Sequence, residues 1–133
     1  MKLNSKIHGI IDYLIIIFLF LSPSIFSLPY TASVFTYGLG VIHLVMTICT
    51  NYEYSLTRFI PMKVHGKIEL IVSLVLVGVA FYLGSTEGEF SKEFYLGLAI
   101  ALFLFWLISD YTNKPEDTRE IPYIESSTEG GMI

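Results

Sequence analysis

The sequence predicts an all-α membrane protein: four transmembrane helices arranged as two parallel two-helix repeats, with both termini on the cytoplasmic side. Three observations carry this expectation. Hydrophobic residues fill 53% of the 133 positions and charged residues only 15%, with a mean hydropathy of +0.64, whereas a soluble domain carries roughly 25% charged residues. The apolar residues gather in four runs, near 10–26, 32–49, 68–84 and 94–108. With its flanks, each approaches the ~20 residues a helix needs to cross ~30 Å of hydrocarbon. Finally, Lys6-Ile7-His8-Gly9-Ile10-Ile11-Asp12 returns as Lys63-Val64-His65-Gly66-Lys67-Ile68-Glu69, and each copy opens an apolar run.

The first run continues past the usual length of a signal-peptide core, has Pro23 near its end, and shows no convincing small-x-small cleavage site, so this helix is expected to be retained. Pro29 favours a tight first turn. The second run ends at the lone cysteine, Cys49, followed by Thr50-Asn51-Tyr52. The linker 53–62 mixes large apolar residues with Arg58 and reads as a short interfacial helix before Pro61. After the third run, Gly84-Ser85-Thr86-Glu87-Gly88 predicts a looser second turn. The fourth run contains the only tryptophan, Trp106, and closes on Ser109-Asp110-Tyr111.

The second helices of the two halves also match. Gly38-Leu39-Gly40 aligns with Gly97-Leu98-Ala99, and Thr50-Asn51-Tyr52 with Ser109-Asp110-Tyr111. The repeats are therefore placed at 5–52 and 62–111, within a membrane domain spanning 1–112. Gly38 and Gly97 allow close helix approach. Tyr30, Tyr52, Tyr54, Tyr82, Tyr95 and Tyr111 fall near span ends, where a ring with a polar tip suits the headgroup region. Residues 113–133 are polar and acidic, and such a tail is expected to remain a mobile cytoplasmic extension.

Orientation follows from the lysines and arginines. Lys2 and Lys6 precede the first span, Arg58, Lys63 and Lys67 lie between the second and third, and Lys114 and Arg119 follow the fourth. The outer hairpins carry no cation except Lys92, which sits among Glu87, Glu89 and Glu93. The positive-inside rule puts the Lys-x-His-Gly motifs at the cytoplasmic interface.

Composition also excludes several classes. One cysteine allows neither an intramolecular disulfide nor a thiolate metal cluster from one chain. Basic residues are too few for nucleic-acid binding. No glycine-rich phosphate loop and no nucleophile set can be recognised, so no reaction can be read from the chain.

The duplicated two-helix unit resembles the SPW-repeat family of small prokaryotic membrane proteins, whose first helix carries a Ser-Pro-Trp signature. Leu21-Ser22-Pro23-Ser24-Ile25-Phe26 supplies Ser-Pro, with Ser24 in the tryptophan position, and Ala80-Phe81-Tyr82-Leu83-Gly84 keeps an aromatic and a glycine. The resemblance implies a multi-pass protein of the prokaryotic inner membrane, with unassigned activity.

Chemistry concentrates in the repeated motifs. His8 and Asp12, like His65 and Glu69, are four residues apart, which puts each pair on one helix face. Gly9 and Gly66 remove bulk beside the histidines, and Lys6 and Lys63 can snorkel to lipid phosphates. If the two motif helices meet, two imidazoles and two carboxylates converge. That set suits a divalent metal or proton relay. His43, with Thr47 and Asn51 on the same face, forms a polar stripe that the second half replaces with Leu102 and Trp106. His43 either joins the site or is a neutral histidine bonded to a backbone carbonyl or Ser73. A bis-histidine haem at its depth is disfavoured for want of a partner.

Two functional classes remain open. One is a cation- or proton-binding membrane protein, as a homo-oligomeric carrier or pore; the other is an accessory or scaffold subunit whose motifs only anchor helices and lipid. A metal- or haem-dependent redox protein is a third reading.

Overall fold

The computed structural model describes residues 2–112; the tail expected over 113–133 lies outside the described residues. The described residues form four α-helices: α1 (Ser5–Ile25), α2 (Tyr30–Cys49), α3 (Met62–Glu87) and α4 (Glu89–Ile108). All four are long and apolar enough to cross a membrane. They pack chiefly as two hairpins, α1 with α2 and α3 with α4, and α2 also meets α3.

The helix starts lie upstream of the apolar runs, for local reasons. The Asn4 side chain accepts a hydrogen bond of 2.9 Å from the Ile7 amide, satisfying one of the orphan donors at a helix start. Pro61 stands before α3 with φ −60°, already set for helix entry. The Lys-x-His-Gly motifs are therefore helical. They carry His8 and His65 on the first turns of α1 and α3, with Asp12 and Glu69 one turn deeper.

Each helix has an outward row of large apolar side chains, such as Leu14, Ile17 and Leu21 on α1 and Leu74, Val75 and Phe81 on α3. Facing inward, Leu19, Leu28, Ala32, Leu76, Ala80, Leu83, Leu98, Ala99 and Leu102 form one apolar core. A helix apolar on both faces suits a lipid surround, where its backbone is satisfied internally.

Two expected connections differ from the structure. The second turn is the tighter one: α3 runs on through Gly84-Ser85-Thr86 to Glu87, and Gly88 alone separates it from α4. Gly88 makes the reversal at φ +103°, a conformation other residues rarely adopt. The linker 53–60 is irregular rather than an interfacial helix, because its amides are used elsewhere. Leu56 and Thr57 both donate to the Ile48 carbonyl at 2.9 and 3.0 Å, and Ile60 donates to the Cys49 carbonyl at 2.8 Å. These bonds satisfy the open carbonyls at the end of α2.

The same clasp occurs at the end of α4. Leu3 donates to the Ile108 carbonyl at 2.7 Å and receives the Asp110 amide at 2.8 Å, as Ile60 receives the Asn51 amide at 2.8 Å. Each motif helix is thereby pinned, through the residues just before it, to the last turn of α4 or α2. At the opposite end, Glu87 bridges the hairpins. Its two carboxylate oxygens accept the Thr31 and Ala32 amides at 2.7 Å each, capping α2, whose Pro29 offers no side-chain acceptor.

Candidate functional site

Asp12 is the centre of the buried polar cluster. Its Oδ2 lies 3.4 Å from His8 Nε2 and 3.4 Å from His65 Nε2, and its Oδ1 lies 3.3 Å from His43 Nε2. Glu69 Oε2 stands 3.6 Å from His8 Nε2. All five side chains are buried. Among the described residues, the donor atoms of His8, Asp12 and His65 form the group that lies mutually within 4.8 Å. The structure thus brings both His/carboxylate pairs together and adds His43 from α2, at the depth of Asp12.

The outer hydrogen bonds fix how the two motif histidines are protonated. Ser109 Oγ lies 2.8 Å from His8 Nδ1 and donates its own proton to the Phe105 carbonyl at 2.7 Å. Thr50 Oγ1 lies 2.7 Å from His65 Nδ1 and donates to the Met46 carbonyl at 2.6 Å. Each hydroxyl has spent its one hydrogen and can only accept from the ring. Both histidines therefore carry hydrogen on Nδ1, and in neutral rings the lone pairs on Nε2 face Asp12.

That inner arrangement is electrostatically incomplete. His8 Nε2, His43 Nε2, His65 Nε2 and both Asp12 oxygens are buried and make no hydrogen bond. With the two motif rings neutral, their lone pairs would repel the desolvated carboxylate, and such groups cost about 1–3 kcal/mol each when unsatisfied. A cation between them turns the repulsion into ligation. The spacing suits one: a tetrahedral ion ~2.0–2.1 Å from its donors separates neighbours by roughly 3.3–3.4 Å. The Nδ1–hydroxyl–carbonyl chains are of the kind that orient histidines in metal sites.

Aromatic rings wall the cluster. Phe105 stacks on His8 with ring centroids 4.3 Å apart and planes 12° apart. The Tyr111 hydroxyl donates to Glu69 Oε2. Burial first, and then the Glu69 charge, push the Tyr111 phenol far above its ordinary range, so it remains a donor. Tyr52 is raised by burial and then by the Asp12 charge.

The glycines in the motifs make room for these rings. A Cβ on Gly66 would sit 2.7 Å from Tyr111 Cγ, and one on Gly9 would collide with the Tyr52 ring. So Tyr52 and Tyr111 are parts of the site's wall, and Tyr52 and Tyr95 are buried at 1% exposure rather than displayed to headgroups.

The remaining predicted residues fall as follows. Lys6 and Lys63 are exposed. Thr47 is buried beside the cluster's helix face without a hydrogen bond to its hydroxyl, and Asn51 is buried with its amide on the Ile60 carbonyl. Ser73 donates to the Leu70 carbonyl at 2.7 Å, so it is not the partner of His43. Sequence reasoning missed Thr50, Ser109, Phe105, Tyr52 and Tyr111 as site components. The signal was present in the matching Thr50-Asn51-Tyr52 and Ser109-Asp110-Tyr111 triplets. No family model, curated protein or solved structure matches this chain.

Proposed function

We propose that this is a small multi-pass membrane protein that holds one divalent transition-metal ion on His8, His65 and Asp12, with His43 and Glu69 beside it. The observation that supports this reading is the meeting of two Nε2 lone pairs on one buried carboxylate oxygen, each at 3.4 Å and with Nδ1 already committed to a hydroxyl. Imidazole with carboxylate suits zinc, nickel, cobalt or iron rather than a hard cation such as calcium.

The ion is resident rather than conducted through one chain. One or two turns beyond the cluster, Leu19, Leu76, Leu98 and Leu102 interpose an apolar layer before the buried hydroxyls of Ser22, Thr36, Ser91 and Tyr95; a pore would need several chains. We further propose that the two halves are an internal repeat, since the Leu3 and Ile60 clasps and the Ser109 and Thr50 bonds occupy equivalent places. With both termini cytoplasmic, the site belongs to the cytoplasmic leaflet. Kinship with the SPW-repeat family is part of the same proposal.

The test is the metal content of the detergent-purified protein beside the His8→Ala/His65→Ala double variant. One equivalent of metal, lost in the variant with the bundle intact, is the expected result. Metal in neither sample overturns the ligation reading and leaves proton handling or a purely structural cluster.

A further inference from the structure

The three donors that group within 4.8 Å, His8, Asp12 and His65, are one fewer than a closed tetrahedral site uses. Structural zinc sites are closed by four protein ligands, whereas sites that exchange a ligand keep one position open. His43 does not obviously complete the set, because it stands on Oδ1 of Asp12 while the other two imidazoles share Oδ2.

Glu69 is the remaining neighbour, and its two oxygens are unequal. Oε2 is held by the Tyr111 hydroxyl, while Oε1 is buried and makes no hydrogen bond. The oxygen that Tyr111 holds is also the one that stands 3.6 Å from His8 Nε2, so the edge of Glu69 facing the three-ligand site is already engaged by the phenol. The equivalent acid, Asp12, has three histidine Nε2 atoms within 3.4 Å, whereas Glu69 Oε2 stands 3.6 Å from His8 Nε2.

We propose that the metal keeps one coordination position open beside Glu69, and that this position takes a small exogenous ligand of the size of water or a triatomic anion. Glu69 faces that ligand and is not itself bound to the metal. Tyr111 keeps it from swinging onto the metal. The proposal rests on the metal reading above and adds that the site is built for exchange rather than for stability alone.

The test uses the full chain in detergent, loaded with Co²⁺ and titrated with azide, with the visible cobalt bands as the readout. Expected is one equivalent of Co²⁺ whose bands shift as azide saturates. Glu69→Gln should keep its Co²⁺ affinity within about tenfold, the low end of what losing an outer neighbour costs. It should bind azide several-fold more tightly, because a negative neighbour has been removed. If Co²⁺ binds but azide leaves the bands unmoved, or if Glu69→Gln loses Co²⁺, the position is closed or Glu69 fills it. The open-position proposal then fails while the metal reading stands. If Co²⁺ does not bind the unaltered protein, both fail.

Discussion

Replacing Thr50 by valine tests the protonation pattern on which the metal reading depends. The Thr50 hydroxyl is fully buried and accepts the His65 Nδ1 proton at 2.7 Å. Valine keeps the shape and removes the acceptor. His65 then has a buried N–H with nowhere to donate, at a cost of about 1–3 kcal/mol. Its lower-energy course is to move the hydrogen to Nε2, toward Asp12. That tautomer has no lone pair for a metal. Losing an outer support of a ligating histidine typically weakens metal affinity about 10–100-fold, which equals about 1.4–2.8 kcal/mol.

The assay is competition for Co²⁺ or Zn²⁺ against a chelator of known affinity, with Thr50→Ser as the control that restores the hydroxyl. The expected order is unaltered protein and Thr50→Ser together, and Thr50→Val weaker. An intact Thr50→Val protein whose affinity stays within about twofold would show that Nδ1 is not the fixed donor and would undo the tautomer argument.

Other outcomes follow from the same geometry. Gly66→Ala drives a methyl against Tyr111 and should destabilise the fold by about 1–3 kcal/mol, measured by thermal or denaturant unfolding in detergent. Gly38→Ala meets nothing within 4 Å and should leave the melting temperature nearly unchanged. Gly88→Ala forces an L side chain to φ +103°, ψ 169° and should cost about 1–3 kcal/mol without touching metal affinity. Glu87→Gln removes the charge that caps α2 from the neighbouring hairpin; it should lower thermal stability and leave Co²⁺ binding intact.

Alkaline titration gives a separate check. The Tyr52 and Tyr111 phenols are raised in the folded chain, so the stability they contribute is full below the ordinary tyrosine range near 10 and falls as pH rises above it. Ultraviolet titration should show these two ionising only with unfolding, after the exposed tyrosines. Their ionisation within a still-folded protein would contradict the burial assigned to them.

The helices were legible because each apolar run was long enough to span a bilayer and because the polar strings marked where runs began. The turns were not, for identifiable reasons. Gly84-Ser85-Thr86 reads as a loop by composition, yet it continues the helix: Ser85 and Thr86 return their hydroxyls to the Tyr82 carbonyl at 2.8 and 3.1 Å. Only Gly88, with its positive φ, had to break it. The linker before Pro61 looked amphipathic, but its amides were needed to close α2.

In the site, four-residue spacing placed each histidine with its own acid but could not say that three histidines share Asp12. That depends on α2 bringing His43 beside α1, a matter of packing rather than of pattern. The partners of Nδ1 were the hardest to see, because Ser109 lies 101 residues from His8 and a lone hydroxyl at a helix end has many ordinary uses.

The leucine-filled interior beyond the cluster has an electrical consequence. A full unit charge moved across the whole membrane potential exchanges about 2.3 kcal/mol per 100 mV. An ion that enters from the end holding the two clasps, stops one or two turns inside and leaves the same way traverses only a small part of that field. Its occupancy should therefore follow the free metal concentration of a single compartment and stay almost indifferent to voltage. On the metal reading, one compartment alone would set the loading of the site.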